Sequence, residues 1–519
     1  MKVRNLLIIM ISSALLVSAV HARQYPSVMV LKRNIDYLIR NSRTDRTIKS
    51  LSIYSRKWHK TIYSLNSKLL LRPASNLKIV TTSCALHYLG PDYNFRTVVL
   101  SNGFIRNHYL DGNLVVLPSG DPVLSLNDID SIAASVLTSG IDTVSGDIVV
   151  CTNAFDSLQW GNGWMWDDEP SAFAMFISPA CVNHNAINIS VVRDSTLNKL
   201  LVLSNPATSF VTIEISALPG LKDSVVVNRI DSCSFNIVKV SGTFTNNFIR
   251  EDYSFSVRHP AKYFGTLLME ALERRGVIVR GQVLSKRDCP PLSRSLTLAT
   301  ITHNIDTVIT YTNKESDNLG AECLLRIVPR EIAHEIGSAD SGITFVKKFL
   351  STCGVDSTEY FLVDGSGVSH YNLITSEALV KVLDQILNEP SMIREIFINS
   401  LPVAGVDGTL EERMKFDSST HRIVAKTGSI SGVSTLSGYV FVPGDTIIFS
   451  MMMQNFAGKT KPFRQLQDEI CHVLYYFNHN ARSFEKALRL HHLGTFMFNK
   501  KTHLLKKKNM RYLNRDRQL

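Results

Sequence analysis

The sequence has few cysteines for its length and no pattern of metal-binding residues. Its 519 residues include eight cysteines, and none of them forms a Cys-x-x-Cys pair. That number is too small for a fold held together mainly by disulfides, although one or two bridges can form and their pairing stays open. No His-Glu-x-x-His motif or Cys/His cluster occurs. The sequence therefore predicts no metal and no cofactor.

The main body of the chain also lacks an excess of positive charge. The formal net charge is +11, from 56 Lys and Arg against 45 Asp and Glu. The last 38 residues, 482–519, hold 11 of these basic residues and two acidic ones, and Lys2 and Arg4 lie near the N-terminus. Residues 23–481 are thus neutral, which argues against a nucleic-acid partner. The basic tail, 482–519, is either a solvated extension or an electrostatic contact to an anionic membrane or wall polymer.

Only the N-terminus carries a long apolar run. Residues 6–20 are uncharged and mostly apolar, and they follow two basic residues. A helix of this length spans about 22 Å, which is short of the ~30 Å needed to cross a membrane core. Val20 and Ala22 supply the small side chains of a cleavage site. We expect a signal peptide, 1–22, cleaved after Ala22, and an exported protein. An uncleaved membrane anchor is the alternative.

The composition of the body is that of folded domains. Hydrophobic residues make up 45% of the chain and charged residues 19%, which excludes a disordered body. Roughly 460 residues can bury large cores and form more than one domain. Short β-type runs recur from 91 to 299 between Gly, Asn, Asp and Ser, with a helix predicted at 260–275. Outside this stretch the pattern predicts strands at 51–55, 61–65, 436–442 and 446–453, and helices at 28–41, 79–89, 318–328, 340–352, 376–388, 391–398 and 462–477.

The first of three short motifs is Ser-Asn-Leu-Lys at 75–78, at a predicted helix start. Residues i and i+3 share one face of a helix, so the Lys78 side chain can reach the Ser75 hydroxyl. A serine becomes a good nucleophile when a base takes its proton. A lysine can be that base if burial and a second cation lower its pKa. The helix N-terminus also directs backbone N–H groups toward a developing oxyanion.

The other two motifs are Ser-Asp-Asn at 316–318, in a predicted loop, and Lys-Thr-Gly at 426–428, entering a predicted strand. Each of the three motifs is weak alone, because an N-cap serine, a surface loop and a turn glycine, respectively, are common features. Their order along the chain, S-x-x-K then S-x-N then K-T-G, is the informative observation.

These motifs resemble those of the penicillin-binding proteins and serine β-lactamases. Their surroundings are similar to one branch, the D-Ala-D-Ala carboxypeptidase/endopeptidase family of class C low-molecular-mass penicillin-binding proteins, which includes penicillin-binding protein 4. The matching segments lie at 73–78, 113–124, 163–168, 362–367 and 401–410. The resemblance covers roughly 25–480.

The resemblance implies an α/β (α+β) fold. A transpeptidase/β-lactamase-like domain would be built from 23–90 and 300–481, and a large, mostly β insertion, 91–299, would separate the S-x-x-K and S-x-N motifs. Ser75 and Ser316 are 241 positions apart, which agrees with the large insertions known in this family.

The resemblance also implies catalytic roles. Ser75 would attack the carbonyl of the D-Ala-D-Ala bond and form an acyl-enzyme, while Lys78 takes its proton. Ser316 would relay a proton to the leaving amine, and Asn318 would orient Lys78 and the substrate amide. Lys426 would add positive potential.

Further residues would bind the substrate. Thr427 would help to hold the terminal carboxylate, and Gly428 lets the substrate approach the strand closely. The backbone N–H groups of Ser75 and Ser429 would form the oxyanion hole.

Two more positions concern specificity. Asp168 matches an acidic residue that contacts the amino end of the peptide side chain in relatives, although it could also be a plain surface carboxylate. His370 departs from the family, which usually has arginine there. Arginine grips a carboxylate with two hydrogen bonds at any pH, whereas histidine is mostly neutral at pH 7. This predicts that an amidated or shortened stem peptide is tolerated better than in relatives with arginine.

Together these features predict a penicillin-sensitive serine DD-peptidase without a cofactor. Its partners would be β-lactams and the stem peptides of peptidoglycan, and it would remove terminal D-Ala, cut cross-links between D-Ala and a diamino acid, or do both. The alternatives are a serine β-lactamase, whose deacylating base cannot be located, and a non-catalytic peptidoglycan-binding or sensor protein on the same fold. The oligomeric state stays open.

Overall fold

The computed structural model describes residues 26–232, 235–293, 295–415 and 422–489. The predicted signal peptide, 1–22, and residues 490–519 of the basic tail lie outside these ranges. Within them, no helix is both long enough and apolar enough to cross a membrane.

The N-terminal part forms two helices and a hairpin, close to the predicted bounds. In chain order these are α1 (Pro26–Asn41), β1 (Ile48–Ser55), β2 (Lys60–Leu65) and α2 (Leu77–Leu89). A single 3₁₀ turn, Ala74–Asn76, leads directly into α2. The S-x-x-K serine therefore lies in the turn before the α-helix.

The stretch from 91 to 299 is mostly β, as predicted. Its elements in chain order are β3 (Asn94–Arg106), β4 (Tyr109–Leu117), α3 (Leu126–Thr138), β5 (Thr143–Val144), β6 (Ile148–Cys151), β7 (Ala186–Asp194), β8 (Lys199–Asn205), β9 (Val211–Ile215), β10 (Leu218–Pro219), β11 (Val226–Ser232), β12 (Phe235–Ser241), β13 (Thr243–Phe244), β14 (Arg250–Ser256), α4 (Pro260–Arg274), β15 (Ile278–Val279), β16 (Val283–Lys286) and β17 (Ser295–Asn304). A seven-stranded sheet contains β3 to β6 and β15 to β17, and two three-stranded sheets have the orders β11-β12-β9 and β14-β7-β8.

The C-terminal part is helical and then returns to a sheet. Its elements are α5 (Ile305–Lys314), α6 (Asn318–Ala333), α7 (Ala339–Thr352), β18 (Tyr360–Phe361), β19 (Leu373–Ile374), α8 (Ser376–Ile386), α9 (Ser391–Ser400), β20 (Ile423–Ile430), β21 (Val433–Val442), β22 (Asp445–Gln454) and α10 (Lys461–Tyr475). The last three strands join the N-terminal hairpin in one antiparallel sheet of order β2-β1-β22-β21-β20. The two ends of the chain thereby build one sheet.

Two helices, α3 and α5, were not predicted. Helix α3 begins with a capping box in which Ser125 and Asp128 bond each other's backbone N–H groups, a signal that precedes an apolar i, i+3, i+4 pattern. Helix α5 is rich in Ile, Val and Thr, residues that favour strands. It is held by the Asn304 cap, whose side chain accepts from the Thr307 N–H at 2.9 Å.

The helices cover both faces of the five-stranded sheet. One face packs against α2 and α8 in a core that also contains α6 and α7. Residues between 154 and 181, from the inserted stretch, belong to this same core. The other face packs against α1 and α10. A helical stretch, 481–489, adds Phe484 and Leu488 to that second core, so the segment predicted as a tail begins with eight helical residues, two of which are buried.

One disulfide joins Cys151 at the end of β6 to Cys289, which lies between β16 and β17. Both cysteines belong to the inserted stretch, so the bridge ties β6 to the segment that leads into β17. Two other cysteines, Cys181 and Cys323, are buried with their Sγ atoms 3.7 Å apart. They lie on either side of the contact between the inserted stretch and α6.

Candidate active site

The Ser75 hydroxyl lies next to the Lys78 amine. Ser75 occupies the middle of the 3₁₀ turn, and its Oγ accepts a hydrogen bond from Lys78 Nζ at 3.0 Å. The i, i+3 spacing at the start of α2 produces this contact, as expected for one face of a helix.

Lys78 is completely buried and is held by three oxygen acceptors. Besides Ser75, its Nζ donates to Asn318 Oδ1 at 2.5 Å and to the carbonyl of Ser366 at 2.8 Å. Burial lowers the pKa of Lys78 to about 8, and three nearby carboxyl groups oppose this shift only in part. Burial in a low dielectric disfavours the charged form of an amine. This amine therefore gives up its proton far more readily than an exposed lysine.

The S-x-N loop reaches Lys78 through its third residue. Asp317 caps α6, because its carboxylate accepts from the Gly320 N–H at 2.6 Å. Asn318 begins the helix, and its Nδ2 donates to the carbonyl of Phe173 at 2.7 Å. Its amide is thus oriented by one contact on either side. Ser316 lies two residues earlier with a left-handed φ of 62°, and within the described residues no hydrogen bond ties its hydroxyl to Ser75 or Lys78.

Lys426 is a second buried amine beside the first. It is fully buried on β20, and its Nζ donates to the carbonyl of Thr427 at 3.1 Å. Burial, and then the charge of Lys78, lower the pKa of Lys426. The Thr427 hydroxyl donates to the hydroxyl of Thr409 at 2.8 Å. The K-T-G strand is therefore tied to the 401–410 segment.

Gly428 brings the strand close to the nucleophile. A Cβ atom at this position would lie 3.0 Å from the Ser75 nitrogen and 2.2 Å from Thr435 Oγ1. Only glycine fits that approach without movement of its neighbours. Ser429 follows on the same strand and is exposed. The backbone of β20 and the N–H of Ser75 thus border one small space next to the Ser75 hydroxyl.

Glu322, which was not predicted as a site residue, positions the third partner of Lys78. This carboxylate accepts from the backbone N–H groups of Gly365 and Ser366, both at 2.9 Å. It is fully buried and paired with Arg326 at 2.8 Å. From the sequence, Glu322 and Arg326 form an ordinary i, i+4 pair of the kind found on exposed helix faces. Nothing in that pattern reveals their burial.

Asp364 organises the turn that carries Ser366. The segment 362–367 resembles the family, but the sequence predicts no role for its carboxylate. Burial, and then the charge of Glu322, raise the pKa of Asp364 to about 6. Four donors surround it, the backbone N–H groups of Gly367 (2.8 Å) and Ser369 (2.7 Å) and the side chains of Asn372 (2.7 Å) and Trp164 (3.1 Å). Trp164 belongs to the inserted stretch, so the insertion reaches the site here as well.

The two predicted specificity residues lie in one cluster with an unpredicted arginine. Asp168 ends the 3₁₀ turn Trp166–Asp168, and its carboxylate accepts from the Met165 N–H at 2.9 Å. His370 Nδ1 is 3.2 Å from Arg72 Nη1. Burial and then Arg72 lower the pKa of His370, while Asp168 opposes them. Arg72 gave no signal in the sequence beyond its place before Pro73.

A buried lysine against a serine at a helix start, with an S-x-N loop and a K-T-G strand, defines a serine peptidase of the penicillin-binding class. The sequence model of the "D-Ala-D-Ala carboxypeptidase 3 (S13) family" matches residues 31–473. The chain belongs to this family of serine-type D-Ala-D-Ala carboxypeptidases, and the resemblance of the motifs is confirmed.

Known relatives support this family assignment. The chain is 31% identical over 479 residues to a D-alanyl-D-alanine carboxypeptidase of Actinomadura sp., covering 88% of this chain and 87% of the relative. It is similar to the crystal structure of penicillin binding protein 4 from Haemophilus influenzae, with a TM-score of 0.76 and 25% identity over 85% of this chain and 99% of the other. A structure of that protein with a β-lactam has a TM-score of 0.70 and 23% identity, with the same coverage.

Proposed function

We propose that this chain hydrolyses D-Ala-D-Ala termini of peptidoglycan stem peptides, D-Ala–diamino-acid cross-links, or both, through an acyl-enzyme on Ser75, and that penicillin acylates the same serine. The observation that carries the proposal is the contact between Lys78 Nζ and Ser75 Oγ at 3.0 Å. Family membership supports the activity, and the β-lactam complex of the Haemophilus influenzae protein supports sensitivity to penicillin.

The buried Lys78 is suited to act as a base. With a pKa of about 8, the amine is neutral in about one molecule in ten at pH 7, compared with about one in several thousand at its ordinary pKa. The neutral amine takes the Ser75 hydroxyl proton, and Oγ attacks the carbonyl carbon of the scissile bond. Asn318 and the Ser366 carbonyl hold the amine in place during this step.

The developing oxyanion is stabilised beside β20. The N–H groups of Ser75 and Ser429 would donate to this oxyanion. Gly428 has no side chain, so the backbone of β20 lies close to Ser75. Loss of one such donor typically costs about 2.7–4 kcal/mol of transition-state stabilisation. Burial and Lys78 lower the pKa of Lys426, so Lys426 would add positive potential only in its protonated form. Thr427 would help to hold the terminal carboxylate.

The acyl-enzyme then forms and breaks down. As the tetrahedral intermediate collapses, the leaving amine takes the proton that Lys78 received from Ser75. Ser316 would relay this proton once its hydroxyl turns toward the amine, since it bonds neither Ser75 nor Lys78 in the structure. Water then hydrolyses the ester and restores Ser75. In a β-lactam the scissile amide is part of a ring, so the amine stays attached to the acyl group after attack. The bound product then obstructs the approach of water.

A serine β-lactamase is the weaker alternative, because it needs a base free to activate a water at the ester. The three buried carboxylates near Lys78, those of Asp317, Glu322 and Asp364, each accept hydrogen bonds from backbone N–H groups. They therefore hold loops in place. A non-catalytic peptidoglycan-binding or sensor protein would have no need for a lysine buried against a serine.

We also propose that the protein is exported to the cell envelope, with a signal peptide cleaved after Ala22. The apolar run at 6–20 supports export, and a family that acts on cell-wall peptides supports the location. The remaining basic tail, 490–519, would contact an anionic membrane or wall polymer, since each basic residue near such a surface adds roughly 1 kcal/mol.

The test is release of D-Ala from a stem pentapeptide, followed with and without penicillin. We expect turnover by the wild-type protein, loss of turnover after preincubation with penicillin, and no turnover by Ser75→Ala. A chromogenic cephalosporin separates the alternatives, because a DD-peptidase acylates fast and deacylates slowly. Fast deacylation without D-Ala release would instead show a β-lactamase, and no reaction with either compound would show a non-catalytic protein.

A further inference from the structure

Two sulfur atoms meet at the contact between the insertion and helix α6. The Sγ atoms of Cys181 and Cys323 are 3.7 Å apart, and both side chains are buried. Cys181 belongs to the inserted stretch, and Cys323 lies on α6, the helix that begins with Asn318. Residues 142 positions apart in the sequence thus meet on the helix that follows the S-x-N motif.

The segment that carries Cys181 is held in place on both sides. Before the cysteine, the Gly120 N–H donates to the Pro179 carbonyl at 2.9 Å. After it, Asn185 Nδ2 donates to the Phe176 carbonyl at 2.9 Å and closes a loop around the cysteine. The other sulfur is carried by a helix, so the fold sets the distance between the two thiols.

The two sulfur atoms need little movement to form a bond. An S–S bond is about 2.0 Å long, so each Sγ has to move by less than about 1 Å to close the observed gap of 3.7 Å. A modest rotation about each Cα–Cβ bond gives a shift of this size. The contact is therefore that of two thiols placed for oxidation.

Burial determines when these thiols can react. Burial, and then the hydrogen bond with Cys181, raise the pKa of Cys323 well above its usual range. The thiolate is the reactive form in thiol–disulfide exchange, so the folded protein keeps the reduced pair inert. Oxidation therefore belongs to the folding of the chain, when solvent reaches both thiols. The same burial protects a finished bridge from reduction.

We propose that Cys181 and Cys323 are a site of oxidative modification, at which a disulfide cross-links the insertion to α6. The oxidant is a second disulfide, RSSR. One cysteine thiolate attacks it, which forms a mixed disulfide and releases one RS⁻. The other cysteine thiolate attacks the protein sulfur of the mixed disulfide, so that the Cys181–Cys323 bond forms and the second RS⁻ leaves. Two electrons pass from the cysteines to the oxidant, and the two cysteine protons end on the two released thiols.

The bridge adds a covalent tie to a contact on which the site depends. Across the same contact, the Phe173 carbonyl accepts from Asn318 at 2.7 Å and Trp164 donates to Asp364 at 3.1 Å. A disulfide that closes a long stretch of chain stabilises mainly by restricting the unfolded chain. The bridge thus holds the S-x-N helix against the insertion and takes no part in the chemistry at Ser75, so it goes beyond the proposed function.

The experiment refolds the unfolded and fully reduced protein in a buffer of reduced and oxidised glutathione. Remaining thiols are blocked with an alkylating agent, and the protein is digested with pepsin at low pH, where exchange is slow. We expect mass spectrometry to find a peptide pair joined through Cys181 and Cys323 that separates on reduction. The bridge between Cys151 and Cys289 is the internal control, and the share of oxidised glutathione is raised until that bridge has formed.

Folded protein in which Cys181 and Cys323 are both alkylated would overturn the proposal, as would a bridge from either of them to another cysteine. If the unfolded chain does not refold, the same mapping is done on the native protein, kept in the same buffer until the masses stop changing. Acylation of Ser75 by penicillin is measured on the same samples. A joined peptide without acylation would contradict the proposed function and leave the bridge intact.

Variants separate a bridge from two buried thiols that only pack against each other. The Tm is measured for Cys181→Ala, Cys323→Ala and the double variant after refolding in the glutathione buffer. Each single variant loses the whole bridge, so we expect each to lower the Tm by several degrees and the double variant to lower it little further. Cys471→Ala, at another buried cysteine, is the matched control and should lower the Tm by less. Losses in the two single variants that add up in the double variant would count against a bridge.

Discussion

The walls around Ser75 and the core of the insertion bury different kinds of residue. Around the serine, Lys78, Lys426, Glu322, Arg326 and Asp364 are all buried. The core between α3, α4 and the seven-stranded sheet is made mostly of Val, Ile, Leu, Phe and Ala. Buried charges lower stability unless partners satisfy them. Among the described residues, most of the buried charged side chains therefore lie around the nucleophile, where they tune it, although Asp121 and Arg229 are buried in the insertion.

The two regions meet through only part of the insertion. Its segment between 154 and 181 packs in the core of the catalytic part, the Phe173 carbonyl orients Asn318, and Trp164 donates to Asp364. The remaining insertion forms its own apolar core. Substitutions near the serine should therefore change chemistry and stability together, and substitutions in the insertion core should change stability alone.

The largest expected effect is that of Lys78→Met. Methionine fills a similar volume without the amine, so Ser75 loses its base, and general-base catalysis supplies about 10²–10⁴-fold. We expect the acylation rate with fluorescent penicillin to fall by about that factor. Lys262→Met, which changes an exposed lysine on α4 of the insertion, should acylate at the wild-type rate. A normal rate in Lys78→Met would exclude this lysine as the base.

The contrast between the site and the insertion core can be tested by measuring the free energy of unfolding of two variants. Glu322→Ala leaves Arg326 buried without its partner, which costs about 3–5 kcal/mol, and frees the turn that carries Ser366. Phe264→Ala opens a cavity in the insertion core, which costs about 3–5 kcal/mol as well. Urea unfolding should show similar losses for both.

Acylation should separate the same two variants. We expect slower acylation per folded molecule for Glu322→Ala, because the Ser366 carbonyl no longer holds Lys78, and an unchanged rate for Phe264→Ala. Equal loss of activity in both would mean that the two regions are one cooperative unit, and the comparison would fail.

The pH dependence of acylation tests whether the lowered pKa of the buried Lys78 controls the rate. The pKa of Lys78 is lowered from 10.5 to about 8, so the neutral base becomes more abundant as pH rises. We expect the second-order acylation rate to rise about tenfold per pH unit below 8 and to level off above it. The rate is measured by stopped flow from pH 6 to 9.5. A profile that is flat or falls with rising pH would contradict a neutral lysine base.

The smallest expected effect is that of Thr427→Val at the edge of the site. This change removes a hydroxyl whose single O–H donates to Thr409 in the structure and would turn to the substrate carboxylate when substrate binds. Either neutral hydrogen bond is worth about 0.5–1.5 kcal/mol. We expect kcat/KM for the pentapeptide to fall several-fold, with little change in stability. Thr212→Val, at an exposed position on β9 of the insertion, serves as control and should leave kcat/KM unchanged. Equal kcat/KM values for the two variants would show that the Thr427 hydroxyl does not bind the substrate.

Sequence reasoning was strongest where a motif is local. Ser75 and Lys78 are three residues apart, and helix geometry alone predicts their contact. The mostly β character of the insertion was predicted from the short β-type runs that recur along it. Helix α5 was missed because its Ile, Val and Thr residues favour strands, and tertiary packing overrides that preference.

Contacts between distant segments could not be predicted. Arg72, Glu322, Asp364 and the Phe173 carbonyl reach the site from four separate parts of the chain. Their residue types are ordinary in their local context, and only the fold shows that Glu322 is buried or that Arg72 lies beside His370. The disulfide between Cys151 and Cys289 could not be predicted either, because it joins positions 138 residues apart.

The central claim is that Ser75, activated by the buried Lys78, is the acylated nucleophile. The most direct measurement is the intact mass of the protein after reaction with labelled penicillin, followed by peptide mapping. We predict one adduct per chain, located on Ser75, and no adduct in Ser75→Ala. An adduct on another residue, or no adduct on a folded wild-type protein, would contradict the account.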